Sequence, residues 1–283
     1  MIDMKKFSGI KKVYRFFGKE DYNFKGLEKS YLWCSKVDDF NDPLENTLTN
    51  SNFNISKLNN EELVLFFESN PGIELVDSES EKVIKLKDLD LHKLFEHRGA
   101  EITQTLNEII IAHAEMIQVK KFHCLSHDNG GEHPLESKLL WAHYASGLRG
   151  FAIEFDIDFL LNSLSENNEG VFLGCGLMTY SDKDYISIVK EKIKNNDWLD
   201  IMDLLFNKLP EWSYEKELRI ISEKNEINYD PQIISKLIIG EKISDENKDK
   251  IIEFATTHNI TERLFLAKVN NQKRSIEVVN FGK

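Results

Sequence analysis

The sequence predicts an α+β fold of mixed, largely antiparallel sheets with flanking helices. Short β-prone apolar runs and longer stretches with helical spacing follow one another without a regular strand–helix–strand alternation. Five prolines and 14 glycines are scattered over 283 residues, with no Ser/Gly/Pro linker. At about 150 residues per domain the length suits one large domain or two ordinary ones. The lack of a linker favours a single domain over 1–283, with a mainly helical insertion at about 56–118.

The elements are justified in order. Val13 to Phe17 is a β-prone apolar run, and Tyr31 to Cys34 reads as a second strand before a turn at Asn41-Asp42-Pro43. A helix is expected from about Asn59 to Phe67. A longer one runs from about Asp88 to Met116, where Leu91, Leu94, Phe95, Ile102, Leu106, Ile109 and Ile110 recur at helical spacing. Lys121 to Leu125 is a strand, followed by a loop from Ser126 to His133 that contains Gly130-Gly131. Glu136 to Ala145 is a short helix stopped by Gly147. Strands follow at Phe151 to Phe155 and Val171 to Thr179, then helical stretches from about Asp182 to Leu209. Glu217 to Ser222 and Lys236 to Ile239 are β-prone. A helix over Glu246 to His258 and strands over Leu264 to Val269 and Ser275 to Val279 complete the series.

Composition narrows the function. Thirty-six Lys and Arg stand against 48 Asp and Glu, a net charge of −12. Such a surface repels polyanions over most of its area, which argues against generic duplex wrapping while leaving room for a local basic groove. Cys34, Cys124 and Cys175 lie far apart, odd in number and without a Cys-x-x-Cys, which argues against a disulfide framework and a zinc ribbon. Met1 to Lys12 lacks the apolar run of a signal peptide, and no stretch approaches the ~18 apolar residues of a membrane span. A cytoplasmic protein in a reducing compartment, with no membrane partner, is the expectation.

Five constellations offer chemistry. Arg15 interrupts the apolar strand Val13-Tyr14-Arg15-Phe16-Phe17; it is either a side chain snorkelling to water or a fork awaiting phosphate or carboxylate. Phe40-Asn41-Asp42-Pro43-Leu44-Glu45 makes a turn through Asn and Asp side chains. His123, His127, His133 and His143 crowd near Cys124, Asp128, Glu132 and Glu136, but no recognised metal spacing results. Trp141 and Tyr144 share a helix face, where Trp141 reads either as a core residue or as part of a ligand site, and His143 and Tyr144 offer a ring and polar tips to a planar ligand. Finally, Trp212-Ser213-Tyr214-Glu215-Lys216-Glu217-Leu218-Arg219 sets two glutamates two apart where an apolar strand begins. On a strand they share a face and can act as acid, base or stabiliser of a developing cation.

These residues resemble a known family. Tyr14-Arg15-Phe16, Leu32-Trp33-Cys34-Ser35, Phe40 to Glu45, Cys124-Leu125-Ser126, Trp141 to Ala145, Trp212 to Arg219 and Leu237-Ile238-Ile239-Gly240 are similar to domain of unknown function twenty-nine seventy-one. Its members are bacterial and phage-associated, some in defence or toxin-like settings. A second resemblance is to ADP-ribosyltransferases of the Arg-Ser-Glu type: Arg15, Ser126 and Glu215-Lys216-Glu217 stand in that order, although Ser126-His127-Asp128 departs from the family's Ser-Thr-Ser. This resemblance implies a split-sheet core, NAD as substrate and a macromolecular acceptor (RNA, DNA or protein), with an inhibitory partner if the chain is a toxin. It implies that Glu217 stabilises the oxocarbenium-like ribose and Glu215 serves the acceptor. Arg15 would clamp the pyrophosphate, Ser126 would brace the ribose, Tyr144 or Trp141 would stack on nicotinamide, and His143 would supply a polar contact. Two other readings stand beside it: a non-catalytic module holding a ligand between Trp141 and Trp212, and a metal-dependent nuclease or hydrolase built on the histidines.

Overall fold

The computed structural model describes residues 7, 9–42, 44, 48, 53–70, 75–76, 83–84, 90–197 and 199–282. Pro43 and Glu45 of the expected turn, and Asp88 at the expected start of the long helix, lie outside them. In chain order the elements are β1 (Lys12–Phe17), α1 (Asp21–Glu28), β2 (Tyr31–Trp33), α2 (Asn60–Ser69), β3 (Leu75–Val76), β4 (Val83–Ile84) and α3 (Leu91–Gln118). They continue with β5 (Lys121–His127), α4 (Lys138–Tyr144), β6 (Phe151–Asp156), α5 (Ile157–Asn167), β7 (Phe172–Leu177), β8 (Thr179–Tyr180), α6 (Tyr185–Lys194), α7 (Ile201–Leu205) and β9 (Asn207–Lys208). The last are β10 (Glu217–Ser222), β11 (Glu226–Asn228), β12 (Ile234–Gly240), α8 (Asp245–Thr257), β13 (Leu264–Asn270) and β14 (Ser275–Asn280).

The fold is a mixed α+β one, and the chain divides into two compact units. The first comprises Met1–Phe40, Lys120–Tyr180 and Leu209–Lys283; the second comprises Asn41–Val119 and Ser181–Lys208. The second unit takes in the mainly helical segment read from the sequence, and also α6 and α7. In it, the Asn59 side chain and Glu62 form a reciprocal N-terminal cap on α2. Phe67 of α2 packs on Phe95 of α3, with ring centroids 5.3 Å apart. Asp42 accepts the Leu44 N–H at 2.9 Å, the side-chain turn expected at that position.

Among the described residues of the first unit, eight strands form one sheet in the order β14-β13-β12-β6-β1-β5-β10-β7. All neighbours are antiparallel except β12 and β13, which α8 connects. Side-chain alternation then sorts the sheet into two faces. Val13, Phe17, Leu125, Ile153, Leu218 and Leu237 turn to one face and pack under α1, α5 and α8, against Phe24, Leu160 and Phe254. Tyr14, Phe16, Ala152 and Ile238 turn to the other and pack under Leu135, Leu140 and Trp141 of α4 and the turn before it.

Helices α1 and α5 are absent from the sequence reading. The run Phe151 to Leu161 is apolar throughout, so periodicity alone does not mark the change from strand to helix. Asp156 marks it: its carboxylate accepts the N–H groups of Asp158 and Phe159, which ends β6 and caps α5.

Two glycines are required where the chain crosses the end of the sheet. A Cβ on Gly150 would stand 1.9 Å from the Phe17 carbonyl oxygen, and one on Gly240 would stand 2.4 Å from that of Leu148. Both obstacles are backbone, and the Gly240 N–H already bonds the Gly150 oxygen at 3.0 Å. Gly150→Ala is therefore expected to cost about 3 kcal/mol, read as a lower denaturation midpoint with an unchanged m-value.

Candidate functional site

The sheet is almost divided between β1 and β5. Strands β1 and β6 pair over six residues and β5 and β10 over six, whereas β1 and β5 pair only at Val13↔His127 and Tyr14↔Ser126. Beyond that point the two strands part. The Cys124 carbonyl, facing the gap, accepts instead a hydrogen bond from Arg15 Nη1 at 3.0 Å. The Arg15 guanidinium also lies 5.7 Å from the Phe17 ring centroid.

Just before the strands part, the register lines up Glu154, Tyr14, Ser126 and Glu217 across β6, β1, β5 and β10. Directly paired residues share a face with Cβ atoms about 4.5–5.5 Å apart, so Ser126 and Glu217 meet. Arg15 does not join them. It is one residue out of phase with Tyr14, and alternation puts its side chain on the α1/α5/α8 face, so the convergence of Arg15, Ser126 and Glu217 that the sequence left open does not occur on one face.

Glu217 is 3% exposed and forms an ion pair with Arg219, Oε1 to Nε at 2.5 Å, both side chains lying on one face of β10. The Arg219 guanidinium sits 4.9 Å from the Phe40 ring centroid. The Glu217 backbone N–H donates to the Tyr180 hydroxyl at 2.7 Å. Cys124, on the same face, has its thiol pushed up by burial and then by the Glu217 carboxylate, so it stays protonated.

Glu215 lies off the strand. The segment Pro210–Glu215 is a 3₁₀ turn and Lys216 is left-handed at φ 44°, so β10 starts only at Glu217. The period-two argument that set both glutamates on one strand face is corrected accordingly. Glu215 is nevertheless 5% exposed and accepts a hydrogen bond from the Tyr144 hydroxyl. Between the glutamates, the Lys216 ammonium donates to the carbonyls of Gly130 and Glu132, and its own carbonyl accepts the His127 N–H at 3.0 Å. The loop after β5 is thereby tied to the turn that carries Glu215. Burial of that ammonium lowers its pKa.

The aromatic residues divide. Trp141 is 1% exposed, donates its indole N–H to the Leu135 carbonyl at 2.8 Å, and meets Phe16 edge-on at 5.2 Å. It is a core residue, the first of the two readings the sequence allowed: its ring and N–H are engaged by Phe16 and Leu135, so neither stacking on nicotinamide nor forming a wall opposite Trp212 fits it. His143 pairs through Nδ1 with the Tyr214 hydroxyl at 2.9 Å. Tyr144 and His143 therefore both lie against the segment that leads into β10.

The other histidines are occupied separately. His127 Nδ1 accepts the Asn129 N–H at 3.2 Å, and His133 Nδ1 accepts the Leu135 N–H at 3.2 Å. Among the described residues no three His, Cys, Asp or Glu side chains are grouped to hold a metal ion. His123, on the Arg15 face, faces the Trp33 carbonyl through Nδ1 at 2.8 Å, and since a carbonyl only accepts, Nδ1 carries the proton. Burial and then the Arg15 charge push the His123 pKa down to about 3.

His123 thus stays neutral in the fold while its unfolded counterpart titrates near 6.5. Between those values the unfolded chain binds the extra proton, so the stabilisation is complete above about pH 6.5 and is lost as pH falls toward 3. Stability should fall by up to about 1.4 kcal/mol per pH unit from this group. Urea midpoints at pH 7, 6, 5 and 4 should show a shallower decline in His123→Gln, whose amide retains a donor for the Trp33 carbonyl.

With this geometry in view, the chain can be set against known families. Residues 140–220 match the family described as Protein of unknown function (DUF2971). The resemblance read from the sequence holds over those residues. The DUF2971 match contains Trp141, His143, Tyr144, Glu154, Glu215, Glu217 and Arg219, and takes in most of α4, all of β6 and most of β10. Tyr14, Arg15 and Ser126 lie outside the matched span. Comparison with curated proteins gave no match, and neither did comparison with solved structures. Among the described residues no helix is long and apolar enough to cross a membrane.

Sequence reasoning assigned no role to Tyr14 or Glu154. The signal for Glu154 was present as a lone carboxylate inside the apolar strand Phe151-Ala152-Ile153-Glu154-Phe155. Tyr14 was overshadowed by its charged neighbour, because nothing local to β1 says which of two successive residues faces β5's serine.

Proposed function

We propose that the chain is an NAD-dependent ADP-ribosyltransferase-like enzyme that modifies a macromolecule. The observation that carries the reading is the direct pairing of Ser126 with Glu217 beside the point where β1 and β5 part. A buried carboxylate held by a neighbouring guanidinium and flanked by a hydroxyl fits a substrate that develops positive charge on a sugar ring. When bound, NAD supplies the ribose–nicotinamide bond, whose cleavage puts that charge at the anomeric carbon.

Glu217 faces the developing charge, and its ion pair with Arg219 fixes the carboxylate in direction. Ser126, directly across the ladder, is placed to hydrogen-bond a ribose hydroxyl or the Glu217 carboxylate. Glu215, gripped by Tyr144 from α4, is the group for the acceptor. The Arg15 guanidinium is engaged with the Cys124 carbonyl on the other face, so the pyrophosphate role suggested for it is not part of the proposal.

The test uses purified full chain, NAD labelled on its adenylate, and a bacterial lysate separated into protein and nucleic-acid fractions. Label in one fraction with wild type and none with Glu217→Gln supports the transferase and names its acceptor class. No label in either fraction, with NAD unconsumed, overturns it.

A further inference from the structure

The candidate site so far draws on β5 and β10. The same row continues in the other direction, through Tyr14 of β1 and Glu154 of β6 to Lys236 of β12. Four of these five side chains belong to buried residues: Glu154 and Glu217 are each 3% exposed, Tyr14 is 2% and Ser126 is 7%. A line of buried polar groups across the middle of a sheet weakens the core unless every group is satisfied, and native chains keep such departures mainly where they serve function.

Hydrogen-bond directions along the row can be derived. His133 Nδ1 accepts the Leu135 N–H, so the neutral ring carries its proton on Nε2. That proton points at the Tyr14 hydroxyl oxygen, 3.1 Å away. Tyr14 therefore accepts from His133, and the Glu154 carboxylate lies directly across the ladder from it on β6. Lys236 Nζ donates to Glu154 Oε2 at 2.8 Å and balances its charge. The Tyr14 phenol is thus held by His133, with its ring packed among Leu135, Trp141 and Ala152.

We propose that Tyr14, oriented by His133, is the first-strand positioning residue of the site and acts through Ser126, its direct cross-strand neighbour. The assignment rests on the transferase reading above and replaces Arg15 in the first-strand role. Tyr14 holds the β1 side of the row rigid where the ladder to β5 is only two pairs long, so the hydroxyl opposite it stays aligned with Glu217. The loop that supplies His133 is in turn tied to Lys216, between the two glutamates.

The experiment measures kcat and KM for NAD by label transfer at 20 °C, with folding of each variant checked by circular dichroism. Tyr14→Phe keeps the ring and removes the hydroxyl. It is expected to lower kcat about 10–100-fold with KM for NAD changed less than about twofold. His133→Gln, whose amide still has an N–H for Tyr14, should retain more activity than His133→Leu, and this pair decides the matter if Tyr14→Phe does not fold. A folded Tyr14→Phe with wild-type kcat, or a change confined to thermal stability or to KM, overturns the positioning role alone. Wild type without NAD transfer overturns the transferase reading and this assignment with it.

Discussion

Glu217→Gln is expected to reduce transfer of the labelled ADP-ribose moiety by about 10²–10⁴-fold. The substitution keeps the shape of the side chain and one oxygen to accept from Arg219 Nε, but it removes the negative charge that faces the sugar. Loss of transfer with KM for NAD little changed is the pattern of an interaction made chiefly in the transition state. The same change leaves the buried Arg219 charge less compensated, so stability should fall by about 1–3 kcal/mol. The assay is therefore run well below the variant's Tm, with its folded fraction measured. Transfer within threefold of wild type in a folded Glu217→Gln would remove Glu217 from the chemistry.

Arg219→Met is expected to produce the largest loss of stability, about 3–5 kcal/mol. Both members of the pair are almost fully buried, and removing the cation leaves the Glu217 carboxylate buried beside the Cys124 thiol without the Arg219 charge. For a chain of this size the loss corresponds to a fall in Tm of roughly 10 °C. The double variant Glu217→Gln with Arg219→Met removes both charges and should be more stable than Arg219→Met alone. A calorimetric comparison of wild type, the two single variants and the double variant closes the cycle. Additive losses would mean that the 2.5 Å contact contributes little coupling.

The acid limb argued for His123 is separable from these effects. His123 sits on the opposite face of the sheet, and its contribution disappears between about pH 6.5 and its lowered pKa of about 3. The Glu217–Arg219 cycle is best measured near pH 7.5, above that window.

Sequence alone determined the α+β class and the position of most strands. The apolar runs over 13–17, 121–125, 151–155, 217–222 and 264–269 are short and β-prone, and each lies within a strand of the sheet. Local pattern also located Glu217 at a strand's start, whereas Ser126 at a strand's end came from the transferase resemblance, the local reading having ended that strand at Leu125. Their meeting was beyond its reach, because that depends on which strands become neighbours and in what register. The sheet order sets β5 between β1 and β10, and the ladder sets Ser126 opposite Glu217 and also opposite Tyr14.

The same one-residue arithmetic explains the errors. Side chains alternate across a sheet, so a phase difference of one residue decides that Tyr14, and not the more conspicuous Arg15, shares the face of the glutamate. Glu215 departed from its expected strand face because the left-handed turn at Lys216 resets the phase before β10 begins. Trp141 looked available to a ligand because a helix face does not announce what covers it; packing against Phe16 and Leu135 makes it core. Composition and periodicity are properties of neighbours along the chain, whereas strand order, register and burial are long-range pairings that only tertiary structure decides.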